Sequence, residues 1–355
     1  MSISEQIKEL EEEIRRTPYN KATEHHIGRL KAKLAKLRDD AEKQKSRKST
    51  SISIKKEGDA TVAIVGFPSV GKSTLLNSLT GAKSDTGVYN FTTLKPVPGM
   101  LHYKGAKIQL IDVPGVIEGA SKGRGRGREV ISAVRSADLI LVMTDIFNID
   151  QVDVIKKELY EAGIRMNEKP ADISIKKKER GGIKITSTSP LSIDEQTIIG
   201  ILREYRIHNA DVLIRGEITV DSLIDSIIGN RVYIPAITVV NKIDLNNFDS
   251  EEDDIIPVSA EKKINLDVLV EEIYRKLDFI RVYLKPPSKR ADMNEPLVMK
   301  RGAKVEDVCK KLHRDMLKKF RYARVWGKSV KFNGQRVGLD HVIEDEDILT
   351  IYTSG

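Results

Sequence analysis

Cysteine is almost missing from this chain: its 355 residues contain one, Cys309. An internal disulfide framework is thereby excluded, and a chain that forgoes disulfides is expected in a reducing compartment, the cytoplasm. Aromatic residues are scarce as well, at 5% against 40% apolar residues in all, so the core has to be built from aliphatic side chains. No apolar run reaches the roughly 20 residues that cross a bilayer, and none near the start has the pattern of a secretory leader, which sets membrane insertion aside.

Charge, by contrast, is abundant. Lys and Arg number 60 against 52 Asp and Glu, a net +8 that favours a polyanionic partner. Its distribution is more informative than its sum. Arg275 to Arg336 holds 19 basic and 6 acidic residues, and "RLKAKLAKLRDDAEKQKSRK" from Arg29 holds 9 against 3, so two basic regions flank a balanced middle.

Hydrophobic periodicity divides the chain. Ile3, Ile7, Leu10 and Ile14, then Ile27, Leu30, Leu34 and Leu37, recur at helical spacing on either side of "RTPYNKAT". Residues 1–50 therefore read as a helical hairpin, with Pro18 ending the first helix, Thr23 capping the second, and "KQKSRKSTSIS" as a hinge. From residue 58 to 285, short buried strands ("ATVAIVG", "AKIQLID", "ADLILVMTDIF", "IPAITVVN", "DIIPVSA") alternate with helices, the pattern of an α/β, doubly wound, mostly parallel sheet. About 90 residues separate the strand ending near Ile146 from the one starting near Ala236, far more than one crossover helix needs. An inserted α+β subdomain over 165–232 is expected to fill the surplus, with a β-hairpin around Gly181-Gly182 in "PADISIKKKERGGIKITS". Residues 286–355 read as strand, helix, strand, turn and strand, a C-terminal β-grasp.

Three motifs carry the chemistry. Gly66-Phe67-Pro68-Ser69-Val70-Gly71-Lys72-Ser73 fits GxxxxGKS between a strand and a helix, the P-loop arrangement. Its backbone N–H groups, reaching on to Thr74, wrap phosphate, Lys72 bridges the β and γ oxygens, and the Ser73 hydroxyl binds Mg2+. Asn241-Lys242-Ile243-Asp244 supplies a carboxylate that accepts from both N1–H and the exocyclic amine of guanine, donors that adenine lacks there. With the Ser259-Ala260-Glu261 loop after it, the motif makes GTP the expected ligand and GDP the product. Asp112-Val-Pro-Gly115 is expected to hold the metal through Asp112 and to sense the γ-phosphate through the Gly115 N–H. Of Thr92 and Thr93 in "NFTTLKPVPG", Thr93 is expected to reach the metal. Catalytic roles thus fall to Lys72, Thr93 and Gly115.

Taken in order, "TPYNKATEHHIGRLKAKLAKLR", "GFPSVGKSTLLNSLTG", "NFTTLKPVPG", "DVPGVIEGASKGRGRG" and "NKID" make the chain resemble, nearly end to end, the developmentally regulated GTP-binding (DRG) branch of the Obg-related GTPases, its archaeal members above all. The resemblance implies a P-loop GTPase domain, a ribosomal-protein-like insertion, a TGS domain at the C-terminus, and a translation-linked role on ribosomes or RNA reached through the basic flanks. Two other readings stay open: a ribosome- or RNA-binding module with structural GTP, and a signalling GTPase with a protein target. Monomer is the default state.

Basic residues of the last module (Lys310, Lys311, Arg314, Lys318, Lys319, Arg321 and Arg324) gather on a helix and its exit among Phe320, Tyr322 and Trp326, a mixture suited to RNA, with core-packing aromatics and solvated charge as the alternative. Arg124, Arg126 and Arg128 in "SKGRGRGRE" are candidates for RNA or phosphate contact, with solvated charge as the alternative. His25, His26 and His313 have no partners at metal-ligand spacing and read as surface or packing residues.

Val116 stands where Ras-like enzymes have a glutamine that orients the attacking water, as it does in the resembling branch, so intrinsic turnover is expected to be slow. Help can come from a potassium ion, from a backbone group, or from the ribosome or a protein partner. Cation-assisted relatives commonly carry asparagine where this chain has Ser69, a shorter ligand. GTP turnover measured in potassium and in sodium at equal ionic strength separates these sources; faster turnover in potassium is expected, and identical rates eliminate the ion.

Overall fold

The computed structural model describes residues 3–46, 56–80, 97–113, 127–246, 248, 254–287 and 289–354. They fall into two compact units, residues 1–51 with 163–233, and residues 52–162 with 234–355.

The first unit opens with α1 (Ile3–Arg16) and α2 (Glu24–Ser46). Leu10 of α1 and Ile27 and Leu30 of α2 are buried, and Arg38 reaches back to Glu11 at 2.7 Å. The turn between the helices is organised differently from the expectation at Thr23. Its hydroxyl donates to the Pro18 carbonyl at 2.6 Å and accepts from the Asn20 N–H at 3.0 Å, bracing the turn rather than capping α2. Asn20 does the local capping, since its side-chain oxygen accepts from the N–H groups of Ala22 and Thr23. Residues 47–53 of the expected hinge lie outside the described residues.

The second unit begins with β1 (Ala60–Gly66), α3 (Lys72–Thr80), β2 (Val97–Tyr103), β3 (Ala106–Asp112), α4 (Gly127–Arg135), β4 (Leu139–Asp145) and α5 (Gln151–Glu161). Every residue of β1 and β4 is buried. Continuous aliphatic runs are what a parallel strand covered on both faces requires.

The insertion belongs to the first unit and comprises β5 (Ile164–Met166), β6 (Asp172–Lys177), β7 (Ile183–Ser187), α6 (Glu195–Glu204), β8 (Ala210–Arg215), α7 (Val220–Ile228) and β9 (Val232–Ile234). The hairpin expected around Gly181-Gly182 does not form. β8 lies between the two strands, antiparallel to β6 and parallel to β7. β8 is the apolar strand, with Ala210, Val212 and Ile214 buried, whereas β6 and β7 carry Lys176, Lys177 and Lys184 on half-covered faces. Burial therefore favours β8 at the centre, and the lysine-bearing strands take the edges. α2 completes this core: Ala32 is fully buried among Ile198, Ile201 and Leu202, and Arg29 pairs with Glu204 at 2.8 Å and Lys31 with Asp221 at 2.7 Å. The N-terminal arm therefore folds onto the insertion, not onto itself alone.

Back in the second unit, β10 (Ala236–Asn241), β11 (Ile255–Pro257) and α8 (Leu266–Lys276) complete a six-stranded sheet ordered β11-β10-β4-β1-β3-β2. All neighbours are parallel except β2, which returns antiparallel to β3. β3 and β4 flank β1 on opposite sides, so the loop leaving β1 opens at the switch point where such sheets bind ligands.

β12 (Phe279–Leu284), β13 (Leu297–Lys300), α9 (Val305–Leu312), α10 (Arg314–Lys318), β14 (Phe320–Trp326), β15 (Gln335–Val337) and β16 (Ile348–Thr353) form the C-terminal sheet, ordered β13-β12-β16-β14-β15. β12, grouped on sequence with the nucleotide domain up to residue 285, is a strand of this second sheet, antiparallel to β13 and parallel to β16. The chain changes sheets at Asp278, whose φ of +49° breaks the run, and not at Pro286-Pro287. Ile280 and Val282 then face the C-terminal core with Val305, Val308 and Cys309. Phe279 and Val298 instead join the core of the nucleotide domain.

An ion pair at the seam between these two sheets makes stability depend on pH. Asp138 accepts from Lys300 Nζ at 2.6 Å and from the Thr61 N–H at 2.9 Å, with Lys56 at 3.6 Å. Burial pushes its carboxyl upward, but these donors together outweigh burial and hold it below the usual carboxylate range. A depressed folded pKa contributes stability that is present above the unfolded value, about 4, and is lost as pH falls through the folded one. Asp138→Asn should cost about 1–2 kcal/mol at neutral pH. The difference in melting temperature from the parent chain should shrink as pH drops below about 4, as calorimetry at several pH values will show.

Candidate nucleotide site

The loop from Gly66 to Lys72 leaves a buried strand and opens a helix, and its two end glycines are required by contact. A Cβ on Gly66 would lie 2.4 Å from the Met143 carbonyl oxygen of β4. At Gly71 φ is +97°, and a Cβ would lie 2.4 Å from Asn241 Nδ2. Ser69 also has a left-handed backbone, φ +66°, which turns the loop so that its amides gather ahead of the helix N-terminus.

Asn241, at the end of β10, joins three separate segments. Its Nδ2 donates to the Val70 carbonyl at 2.9 Å, and its Oδ1 accepts from the Ala260 N–H at 2.9 Å. The phosphate loop and the Ser259–Glu261 loop are thus hung on one buried amide. Ser78 of α3 donates to the Ala260 carbonyl at 2.7 Å, and Ser259 Oγ accepts from the Lys262 N–H at 3.0 Å, which fixes the second loop further. Asp244 and Glu261 are exposed.

Lys72 is buried and donates to the carbonyls of Gly66 at 3.1 Å and Phe67 at 2.9 Å. Burial lowers the pKa of its ammonium, opposed by the nearby Asp112 carboxylate. Asp112 is shifted the other way: burial raises it, against the hydrogen bond from Ser73 and the charge of Lys72. Ser73 Oγ donates to Asp112 Oδ2 at 2.6 Å, while Asp112 Oδ1 is buried with no hydrogen-bond partner among the described residues. A hydroxyl oxygen, a carboxylate and an orphaned carboxylate oxygen are the hard donors that Mg2+ takes. Their fit to that ion is therefore good.

Thr93, Gly115 and Val116 lie outside the described residues, as do Arg124 and Arg126. The sites brought together are Gly66 to Thr74, Asp112, Asn241 to Asp244 and Ser259 to Glu261. The expected histidine roles are local ones: His26 Nε2 lies 3.2 Å from Glu13 Oε1, and the His313 ring accepts from the Asp315 N–H. Among the described residues no group of His, Cys, Asp or Glu forms a metal cluster.

Asp145 is the residue that motif reading missed. It ends β4, is buried, and accepts from Lys242 Nζ at 2.7 Å, from Asn148 Nδ2 at 2.9 Å and from the Phe147 N–H. Burial pushes its carboxyl upward, yet Lys242 and the other donors hold it below the usual range. Lys242 also donates to the Ser69 carbonyl at 2.9 Å, so Asp145 aims the lysine across the phosphate loop. The signal was present in "LVMTDIF", an acidic residue closing an otherwise apolar central strand. Asp145→Asn should weaken GDP binding about tenfold, the loss of roughly one charged hydrogen bond, mainly through faster release. Stopped-flow release of a fluorescent guanine nucleotide is the measurement, with kcat at saturating GTP changing much less.

The comparisons agree with the geometry. Residues 61–177 match the family model described as a 50S ribosome-binding GTPase, residues 180–279 the C-terminal region of that domain, and residues 280–353 the TGS domain. An uncharacterized GTP-binding protein of Methanocaldococcus jannaschii is 60% identical, over 99% of this chain and 93% of the relative. Developmentally-regulated GTP-binding protein 1 of Xenopus laevis is 48% identical over 97% of each chain, and its Dictyostelium discoideum homolog is 47% identical over 99% of each. With a P-loop, a guanine-type Asn-Lys-x-Asp motif and relatives of this identity along its whole length, the chain belongs to the developmentally regulated GTP-binding protein family of Obg-related P-loop GTPases.

Proposed function

We propose that this GTPase is a cytoplasmic switch that couples magnesium-dependent GTP hydrolysis to association with the ribosome or its RNA. The observation that carries the nucleotide half is the double hydrogen bond of Asn241, to Val70 and to Ala260, which holds the triphosphate loop and the base-recognition loops as one cup. The description of the family model matched by residues 61–177, a 50S ribosome-binding GTPase, supports the ribosomal half.

In this reading the amides from Phe67 to Thr74 receive the phosphates, and Lys72 turns from its two carbonyl acceptors to the β and γ oxygens. Asp244 accepts from guanine while Lys242, held by Asp145, lies alongside. Ser73 and Asp112 hold Mg2+, joined by Thr93 on the sequence pattern. The ion, when bound, supplies neutralisation of phosphate charge. The Gly115 N–H answers to the γ-phosphate, and water attacks the γ-phosphorus as the bond to the bridging oxygen of GDP breaks. Val116 has no polar group to aim that water, so alignment comes from elsewhere: a potassium ion near the phosphate loop, a backbone group, or the ribosome. The basic arm on α2 and the basic C-terminal module serve as anchors.

Two measurements test the proposal. Asp244→Asn replaces the acceptor by an amide that pairs with the C2 carbonyl of xanthine, so GTP affinity should fall by about two orders of magnitude while xanthosine triphosphate becomes a substrate. Co-sedimentation with ribosomes should be stronger with a non-hydrolysable GTP analogue than with GDP and should weaken steeply with added salt. Equal pelleting in all nucleotide states would leave a GTPase without a nucleotide-controlled ribosomal role.

A further inference from the structure

Ser78 and Thr80, both in the last turn of α3, use their hydroxyls differently. A hydroxyl inside a helix commonly donates to the carbonyl four residues back, as Thr80 does to Leu76 at 2.8 Å. Ser78 does not. Its Oγ donates across to the Ala260 carbonyl at 2.7 Å, 182 residues away in sequence. On the helix axis it stands about 9 Å beyond Lys72, so one helix presents its first turn to the phosphate loop and this hydroxyl to the loop after β11.

Most amides of that loop donate within the protein. The Ser259 N–H donates to the Ile264 carbonyl at 3.2 Å, the Ile264 N–H to the Ser259 carbonyl at 3.0 Å, the Ala260 N–H to Asn241 Oδ1 and the Lys262 N–H to Ser259 Oγ. The amides of Glu261 and Lys263 donate to no described residue. Of these two, the Glu261 N–H belongs to the same planar unit as the Ala260 carbonyl. In a trans peptide the oxygen and the hydrogen point in opposite directions. By drawing the carbonyl toward α3, Ser78 therefore turns the Glu261 N–H away from that helix. The donor is fixed in direction by a bond on the far side of its own peptide.

We propose that Ser78 is a positioning residue for base recognition, which aims the Glu261 N–H at the oxygen on C6 of guanine. The inference rests on the reading that Asp244 accepts from the neighbouring N1–H and amine of the same base. Adenine carries an amine at C6, so a fixed N–H meets a donor there instead of an acceptor, and adenine is refused a second time. A freely turning peptide would serve either base by rotating its carbonyl forward. The Ser78 hydroxyl holds that carbonyl back. Fixing the donor beforehand also removes the entropy cost of ordering it when the nucleotide binds.

The test uses the full chain and measures affinity by competition against a ribose-labelled fluorescent GDP. Ser78→Ala should weaken GDP and inosine diphosphate, which share the C6 oxygen, by the same factor of about five, the contribution of one neutral hydrogen bond. The diphosphate of 2-aminopurine riboside has only hydrogen at C6, and tripolyphosphate has no base; each should bind variant and parent alike. Ser78→Thr, which keeps the hydroxyl, should restore GDP affinity. Preference for GDP over ADP should narrow in Ser78→Ala alone. The inference is wrong, while guanine selection by Asp244 stands, if Ser78→Ala binds GDP as the parent does, if it weakens every ligand equally, or if Ser78→Thr behaves like Ser78→Ala. A parent that binds ADP as tightly as GDP would remove guanine selection itself.

Discussion

The amide of Asn241 is the contact on which the nucleotide site depends. One side chain gives its donor to Val70 and its acceptor to Ala260, so two loops about 190 residues apart in sequence are fixed to each other at the end of β10. A buried amide left half-satisfied costs more than the bond itself contributes, so neither loop can drift without exposing or orphaning the other's partner. Gly71 follows from the same contact: its hydrogen occupies the only space that Asn241 Nδ2 leaves. The glycine of the phosphate loop and the asparagine of the base motif are therefore one constraint written at two places in the chain.

Charge in the cup is arranged around that frame. Burial works against both Lys72 and Asp112, lowering one group's pKa and raising the other's, and neither finds full compensation in its partner. A polyphosphate and a divalent ion are the charges that complete such a set, anion against the ammonium and cation against the orphaned Asp112 Oδ1. Lys242 is treated differently. Asp145 neutralises it in advance and points it across Ser69, so it acts as a fixed wall and needs no ligand to hold it.

Much of this was legible in the residues, and the exceptions share a cause. Glycine spacing, the strand-turn-helix context and the Asn-Lys-x-Asp motif each report a local requirement, and the sheet order then places them together. Thr23 was misread because two side chains in one turn compete for the same backbone groups, and Asn20 wins. The Gly181-Gly182 hairpin was misread because the centre of the sheet goes to the strand with the most buried apolar face, and β8 lies about 25 residues further on. β12 was assigned to the wrong sheet because proline is a conspicuous stop, while Asp278 changes the backbone without any compositional mark. Asp145 escaped since an acid at the end of an apolar strand looks like a strand terminus until its lysine partner is seen.

The same distinction between local and non-local information decides how the basic C-terminal region should be understood. Counting charge along the chain gives 19 basic residues against 6 acidic ones between Arg275 and Arg336, which points to the helix where lysines cluster. Folding redistributes that excess. Acidic residues from the last loop, Asp345 and Glu346, come to pair with Arg281, and Asp59 and Asp138 of the nucleotide domain pair with Lys311 and Lys300. Other cations keep no ion pair among the described residues, Lys318, Lys319 and Arg321 among them; register decides only that Arg324 faces Arg336, because β14 and β15 pair antiparallel with Ala323 opposite Val337. A one-residue slip would send both arginines into the core and is forbidden by the burial of Ala323 and Val325. The hydrophobic core thus fixes where Arg324 and Arg336 emerge, on a sheet face edged with rings, and net charge along the sequence has no means of showing it.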